Sequence, residues 1–294
     1  LVRGVVLGLA RLIDPTLADW IAAKGRFPAT MVDRITPATS DADIARVTEM
    51  TGYFDAGPVM HEPFKQWAIE DSFVGDTRPD FKAAHGEMVP DVTRHEHMKL
   101  RMLNGTHSAL AYTGYLAGHE TIADTVADPV FAAYARLLWS EITPAITAPD
   151  GVHLDDYANA LFNRYSNPEI RHLTWQIAMD GSQKLPQRIL STLRTNLDAG
   201  RASPGLCLAV VAWMRYVGGI DETAQPIDVR DPLAEKLRAL TDGLSEPTSI
   251  VKALLDVHEI FAPDLAADLQ KPLLQQAERL WSLGAYAAVK ELTQ

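Results

Sequence analysis

The chain has 294 residues, 47% of them hydrophobic and 22% charged, with a formal net charge of −11. That length and composition suit a globular protein of one large domain or two ordinary ones with a sizeable core. An acidic balance argues against non-specific binding to nucleic acid or anionic membranes, which needs basic patches. The single cysteine, Cys207, excludes an internal disulfide framework and fits a reducing, cytoplasmic setting. Within "GLCLAVVAW" it reads as a small buried hydrophobe.

No apolar run reaches the ~18 residues of a membrane span. The opening "LVRGVVLGLARLID" has signal-peptide flavour but no small-residue cleavage site, and Arg11 and Asp14 interrupt it. It reads as an amphipathic helix. Leu1 in place of Met suggests a position inside a longer chain. Residues 1 to 24 predict two helical pieces broken at "DPT", because Asp14-Pro15 is a helix-start signal. Pro28 and Pro37 bracket an extended piece around Met31 to Ile35. "TSDAD" caps a helix near 41 to 51. Extended candidates follow at 58–61 and 66–70, and "GDTRPD" marks a turn.

After about residue 92 helical periodicity dominates, over 94–117, 128–142, 154–164, 168–180, 185–198, 204–218, 231–242, 248–259 and 270–291. Strand signals are scarce there. The expected fold is therefore mainly α: a short α/β segment, residues 1–92, followed by a multi-helical domain, 93–294.

The polar residues of "HEHMKLRMLNGTHSAL" (95–110) stand out from a Leu- and Met-rich helix. At about 100° per residue, with Lys99 at zero, Glu96 falls near 60°, His107 near 80° and Asn104 near 140°. All four then project over one side, provided Asn104-Gly105 does not break the helix. A desolvated lysine is able to work as a base near neutrality. An amide and an imidazole offer N–H donors to an oxygen gaining negative charge. The plainer alternative is an i,i+3 surface pair, Glu96 with Lys99, beside satisfied core polar groups.

His95, Glu96, His97 and His107 do not match a metal signature: HExxH and CxxC are both missing, and His95 and His97 diverge on a helix. No metal is expected. The stretch "NRYSNPEIRHLTWQIAMDGSQKLPQR" (163–188) gathers Arg164, Arg171, His172 and Lys184 in an otherwise acidic chain. Gly181 and Pro186 set a sharp turn with Lys184 at its tip. These cations suit a carboxylate or several hydroxyls; singly, each also reads as an exposed cation. Gly4 and Gly8 in "GVVLGLA" form no GxGxxG and are rejected as a dinucleotide loop.

Together, "FPATMVDRITPAT" (27–39), "HEPFKQWAIEDSF" (61–73), "EHMKLRMLNGTHSALAYTGYLAG" (96–118) and "YSNPEIRHLTWQIAMDGSQKLPQR" (165–188) resemble the polyol-specific long-chain dehydrogenases, the mannitol dehydrogenase family. The resemblance covers almost the whole chain. It implies a zinc-independent, NAD- or NADP-dependent oxidoreductase that interconverts a secondary alcohol and a ketone in a linear sugar derivative. It gives Lys99 the role of general base, Asn104 and His107 that of holding the reacting oxygen, and Glu96 proton exchange with solvent. It places Asp33 near the nicotinamide ribose and Lys184 in the active-site cleft.

Family members carry a Gly-rich Rossmann region before the point where this sequence begins, and the expectation is that it is absent here. The resemblance thus implies the C-terminal part of a longer enzyme, with residues 1–92 completing a Rossmann-type domain otherwise absent, and an isolated chain that is inactive. Mannitol-specific members tend to have Arg where Gln176 stands. The stretch "HLTWQIAMDGSQKLPQR" (172–188) around it resembles the branch that reduces fructuronate to mannonate, whose carboxylate Arg171, His172 or Arg164 would meet. A mannitol 2-dehydrogenase, a non-catalytic binding protein and, more distantly, a metal-dependent hydrolase are the alternatives.

Overall fold

The computed structural model describes residues 1–75 and 77–294. In chain order the elements are α1 (Val2–Ile13), α2 (Pro15–Lys24), β1 (Thr30–Asp33), α3 (Asp41–Thr51), β2 (Gln66–Glu70), β3 (Glu87–Val89) and α4 (Thr93–Met98). A π-helical segment, Lys99–Gly105, leads into α5 (Thr106–Leu116), α6 (Ile122–Ala127), α7 (Pro129–Ile142), α8 (Leu154–Tyr165), α9 (Thr174–Ala178) and α10 (Gly181–Leu185). A second π segment, Pro186–Leu190, precedes α11 (Ser191–Asp198) and α12 (Pro204–Val217). The chain ends with α13 (Ala234–Thr241), α14 (Pro247–Leu255), α15 (Pro263–Leu283) and α16 (Ala285–Thr293).

The chain folds as two compact units, residues 1–36 with 61–96, and residues 37–60 with 97–294. In the first, the sheet order is β1-β2-β3, antiparallel between β1 and β2 and parallel between β2 and β3. Met31 pairs with Ala68, and with Val89 and Val92 they form its buried core. Asp14 ends α1 and caps α2 by accepting from the Thr16 N–H at 2.8 Å, with Pro15 opening α2. This is the break read at "DPT". The apolar residues Val2, Val5, Leu9 and Leu12 of α1 are exposed.

In the second unit, Ser40 and Asp43 close a capping box that starts α3. The core is built on α12, which packs against α5 and α15. Every residue of α12 from Gly205 to Met214 is buried, as expected of a helix apolar on all sides. Cys207 lies in this run. Small residues let neighbours approach α5: a Cβ on Gly114 would lie 2.7 Å from the Thr125 hydroxyl of α6.

Several local expectations change, among them the sharp turn expected with Lys184 at its tip, which is the helix Gly181–Leu185 running on into Pro186–Leu190. No strand forms at 58–61, and β3 was not foreseen because its three residues are too short for alternation to register. The helix read over 94–117 is interrupted by π geometry. The stretch 168–180 yields only the short α9, then Asp180 at φ 55°, before α10. At the end, Gly284 at φ 81° separates α15 from α16, while Pro272 stays inside α15. Among the described residues no helix is long and apolar enough to cross a membrane.

Candidate active site

The two π segments are the local feature around which the site is built. Widening a helix from i→i+4 to i→i+5 bonding alters which carbonyls the ladder uses, and such segments recur at functional sites. Two aromatic side chains take carbonyls of the first segment. Tyr165 Oη donates to the Leu103 carbonyl at 2.7 Å, and Trp139 Nε1 to that of Met102 at 3.3 Å. Gly105 brings the segments together, since a Cβ there would lie 2.6 Å from the Arg188 carbonyl oxygen. Pro186 has no N–H to place in a ladder, and it opens the second segment.

The π geometry corrects the projection angles derived from an α-helix. With i→i+5 bonding, Asn104 turns back towards the side of Lys99, five residues earlier. Both are half-buried. His107 follows on α5 and is 5% exposed. Its ring stacks on Tyr165 at 5.0 Å between centroids and meets the edge of His172 at 4.7 Å.

Electrostatics ties further side chains to this imidazole. Burial holds His107 well below its ordinary pKa of 6.5, and the positive charges of His172, Arg188, Arg164 and Lys184 add to the effect. His172 is pushed down to about 4 by burial, Lys184 and Arg188, so both rings are neutral at pH 7. Lys184 is lowered by burial and by Arg188, against Asp180 and Asp231. Its Nζ donates to the Met179 carbonyl at 2.6 Å. Arg164 is 9% exposed at the end of α8. Arg188 is lowered by burial.

Lys99, Asn104, His107, Arg164, His172 and Lys184 therefore belong to the second unit, the last three acting electrically on His107. Arg171 does not join them. Its side chain is 71% exposed and pairs with Glu120 at 2.9 Å, because the residues after Ile170 turn His172 inward and Arg171 outward. Gln176 lines a hollow of about 250 Å³ with Arg46, Glu120 and Arg171. Glu96 is half-buried on the last turn of α4, and Asp33 is 0% exposed at the end of β1; both lie in the first unit. Sequence reasoning passed over Arg188; its position four residues after Lys184 on one helical side was the available signal.

Of the histidines weighed as metal ligands, His95 is buried, His97 exposed and His107 enclosed as described. Among the described residues no three His, Cys, Asp or Glu side chains gather as a metal site. Gly4 and Gly8 lie on α1 with open space around them.

The model of the mannitol dehydrogenase C-terminal domain matches residues 91–281, and that of the mannitol dehydrogenase Rossmann domain residues 1–83. The chain is 47% identical over 294 residues to the D-mannonate oxidoreductase of Escherichia coli K12, covering 98% of this chain and 59% of that one. It is 41% identical to the mannitol 2-dehydrogenase of Phaeosphaeria nodorum, over 90% of this chain and 46% of that one. The solved Pseudomonas fluorescens mannitol 2-dehydrogenase, a ternary complex with NAD and D-mannitol, superposes with a TM-score of 0.89 at 36% identity. It covers 99% of this chain and 59% of its own. The chain thus spans at most about three fifths of the relatives described.

These matches correct the expectation of a Rossmann-type domain otherwise absent, and remove the ground for expecting a missing binding loop and an inactive chain. The Rossmann region is present over residues 1–83. The expectation rested on one glycine-rich loop, whereas the domain's pattern also resides in its strands and their packing, here β1 and β2 on the Met31–Ala68 core. On the match to both of its domain models, the chain belongs to the mannitol dehydrogenase family.

Proposed function

We propose that this chain carries the substrate-binding and proton-handling residues of an NAD(P)-dependent oxidoreductase acting on a linear sugar acid, interconverting D-mannonate and fructuronate. The observation that carries this reading is the group of three cations around His107, Arg164, Lys184 and Arg188, beside a neutral His172, in a chain of net charge −11. Such a group attracts an anionic substrate. The relative named D-mannonate oxidoreductase supports the same choice.

Lys99 Nζ takes the proton from the substrate hydroxyl during oxidation and returns it during reduction. The Asn104 amide and a His107 N–H donate to the oxygen that gains charge. A neutral imidazole suits this role, since it donates without competing for the proton. Glu96 passes the proton to solvent. Arg164, His172 and Lys184 bind the carboxylate and hydroxyls. NAD(P), when bound, supplies or accepts the hydride. Asp33, a carboxylate at the carboxyl end of a strand, has the chemistry to accept from a ribose hydroxyl and is assigned to the cofactor side.

A second reading, mannitol and fructose as the pair, is favoured by the likeness to the solved mannitol 2-dehydrogenase. Assaying the whole protein with fructuronate, tagaturonate and fructose, and both reduced cofactors, decides between them. Lys99→Ala is expected to lower kcat by about 10²–10⁴ with the fold intact. A variant with near-normal turnover removes Lys99 from the mechanism.

A further inference from the structure

We infer that Arg188, beside the Arg164, His172 and Lys184 assigned to substrate above, is a specificity-determining residue that reads the carboxylate of an acidic substrate. This rests on the sugar-acid reading above. Most arginines with an assigned ion pair lie near the surface: Arg171 with Glu120, Arg194 with Asp264, Arg230 with Asp228. Arg188 inverts the pattern. It is half-buried, and among the described residues no carboxylate pairs with it. Its one side-chain hydrogen bond runs from Nη1 to the Ser108 hydroxyl at 3.0 Å. The phenols beside it, Tyr112 and Tyr165, are neutral, and the groups its charge acts on, His107, His172 and Lys184, are cations or neutral bases.

A charge drawn partly out of water without a counter-charge is unfavourable. Such an arrangement is stable in use when an incoming anion completes it. A guanidinium held at one nitrogen by a hydroxyl keeps other donors for a two-point contact with a carboxylate. His172 offers an independent sign: its Nδ1 is buried and has no hydrogen-bond partner, and its ring touches His107. The backbone of Arg188 is also fixed against the Lys99–Gly105 segment through Gly105, so carboxylate and reacting oxygen would be held in one frame.

The test uses the whole protein with Arg188→Met and Arg188→Lys. Two quantities are read: the ratio of kcat/KM for D-mannonate over D-mannitol, and calorimetric binding of D-mannonate without cofactor. The ratio is expected to fall about 100-fold in the Met variant, with partial recovery in Lys, and D-mannonate binding to weaken by a similar factor. An unchanged ratio, or equal losses on both substrates, overturns the inference. If the wild type oxidises neither compound, the proposed function fails, and Arg188 is judged by calorimetry alone. Equal D-mannonate binding by wild type and R188M then overturns the role, and selective loss supports it. Should R188M not fold, R188K, which keeps the charge but loses the fork, is judged on the same ratio.

Discussion

Glu141, on the last turn of α7, directs its carboxylate at the N-terminus of α12, the central helix, and is 8% exposed. Its carboxylate accepts from the Gly205 and Leu206 N–H groups, both at 2.8 Å. Burial nevertheless pushes its pKa from 4.5 to about 7, the two backbone donors pulling the other way. The folded state therefore holds this proton more tightly than the unfolded chain. The stability it contributes is fully present below pH 4.5 and is gone once the pH has risen through about 7. At ~1.4 kcal/mol per pH unit the span corresponds to about 3 kcal/mol. Glu141→Gln mimics the protonated acid, keeps one acceptor for the helix N-terminus, and does not titrate. Urea unfolding of both proteins from pH 4.5 to 8 should show the variant gaining about 2–3 kcal/mol on the wild type as pH rises. Taking the difference matters, because His107 and His172 act with the opposite sign below 6.5. A pH-independent difference would refute the reasoning that burial outweighs the caps.

Gly105→Ala places a methyl 2.6 Å from the Arg188 carbonyl, so the π segments must separate. The expected cost is about 1–2 kcal/mol in chemical denaturation, net of the gain in helix propensity, with KM for the acidic substrate raised. Gly181→Ala directs its Cβ to 2.4 Å from Trp213 Nε1 and 2.5 Å from the Tyr112 hydroxyl, both in the core. A loss of about 2–3 kcal/mol is expected by the same assay. Because the pKa values of His107 and His172 lie below 6.5 in the folded state, their stabilisation is present above that value and lost as the pH falls below it. Ring NMR should show neither titrating between pH 6.5 and 8; a transition in that window would refute the described burial.

What the sequence determined by itself was largely local. Asp14-Pro15 and the Ser40–Asp43 box punctuate helices because caps and turns depend on a few adjacent side chains, whereas the break at Gly284, inside the helix read over 270–291, was missed. The apolar run in α12 declared a buried helix for the same reason: composition alone leaves it no solvent face. The residues from Lys99 to His107 were also legible, as polar groups that a Leu- and Met-rich helix does not need.

Tertiary structure decided the rest. Whether residues 99–105 wind as α or π depends on distant groups, among them Tyr165 and Trp139, taking the carbonyls. Periodicity contains no such term. The sequence set Arg171 and His172 side by side as equals, and the packing of the chain after α8 turned one to solvent and the other to His107. Arg188 and Glu141 look like ordinary charged residues in the sequence. Burial, a property of the folded chain as a whole, changes what their charges cost and therefore what they can do.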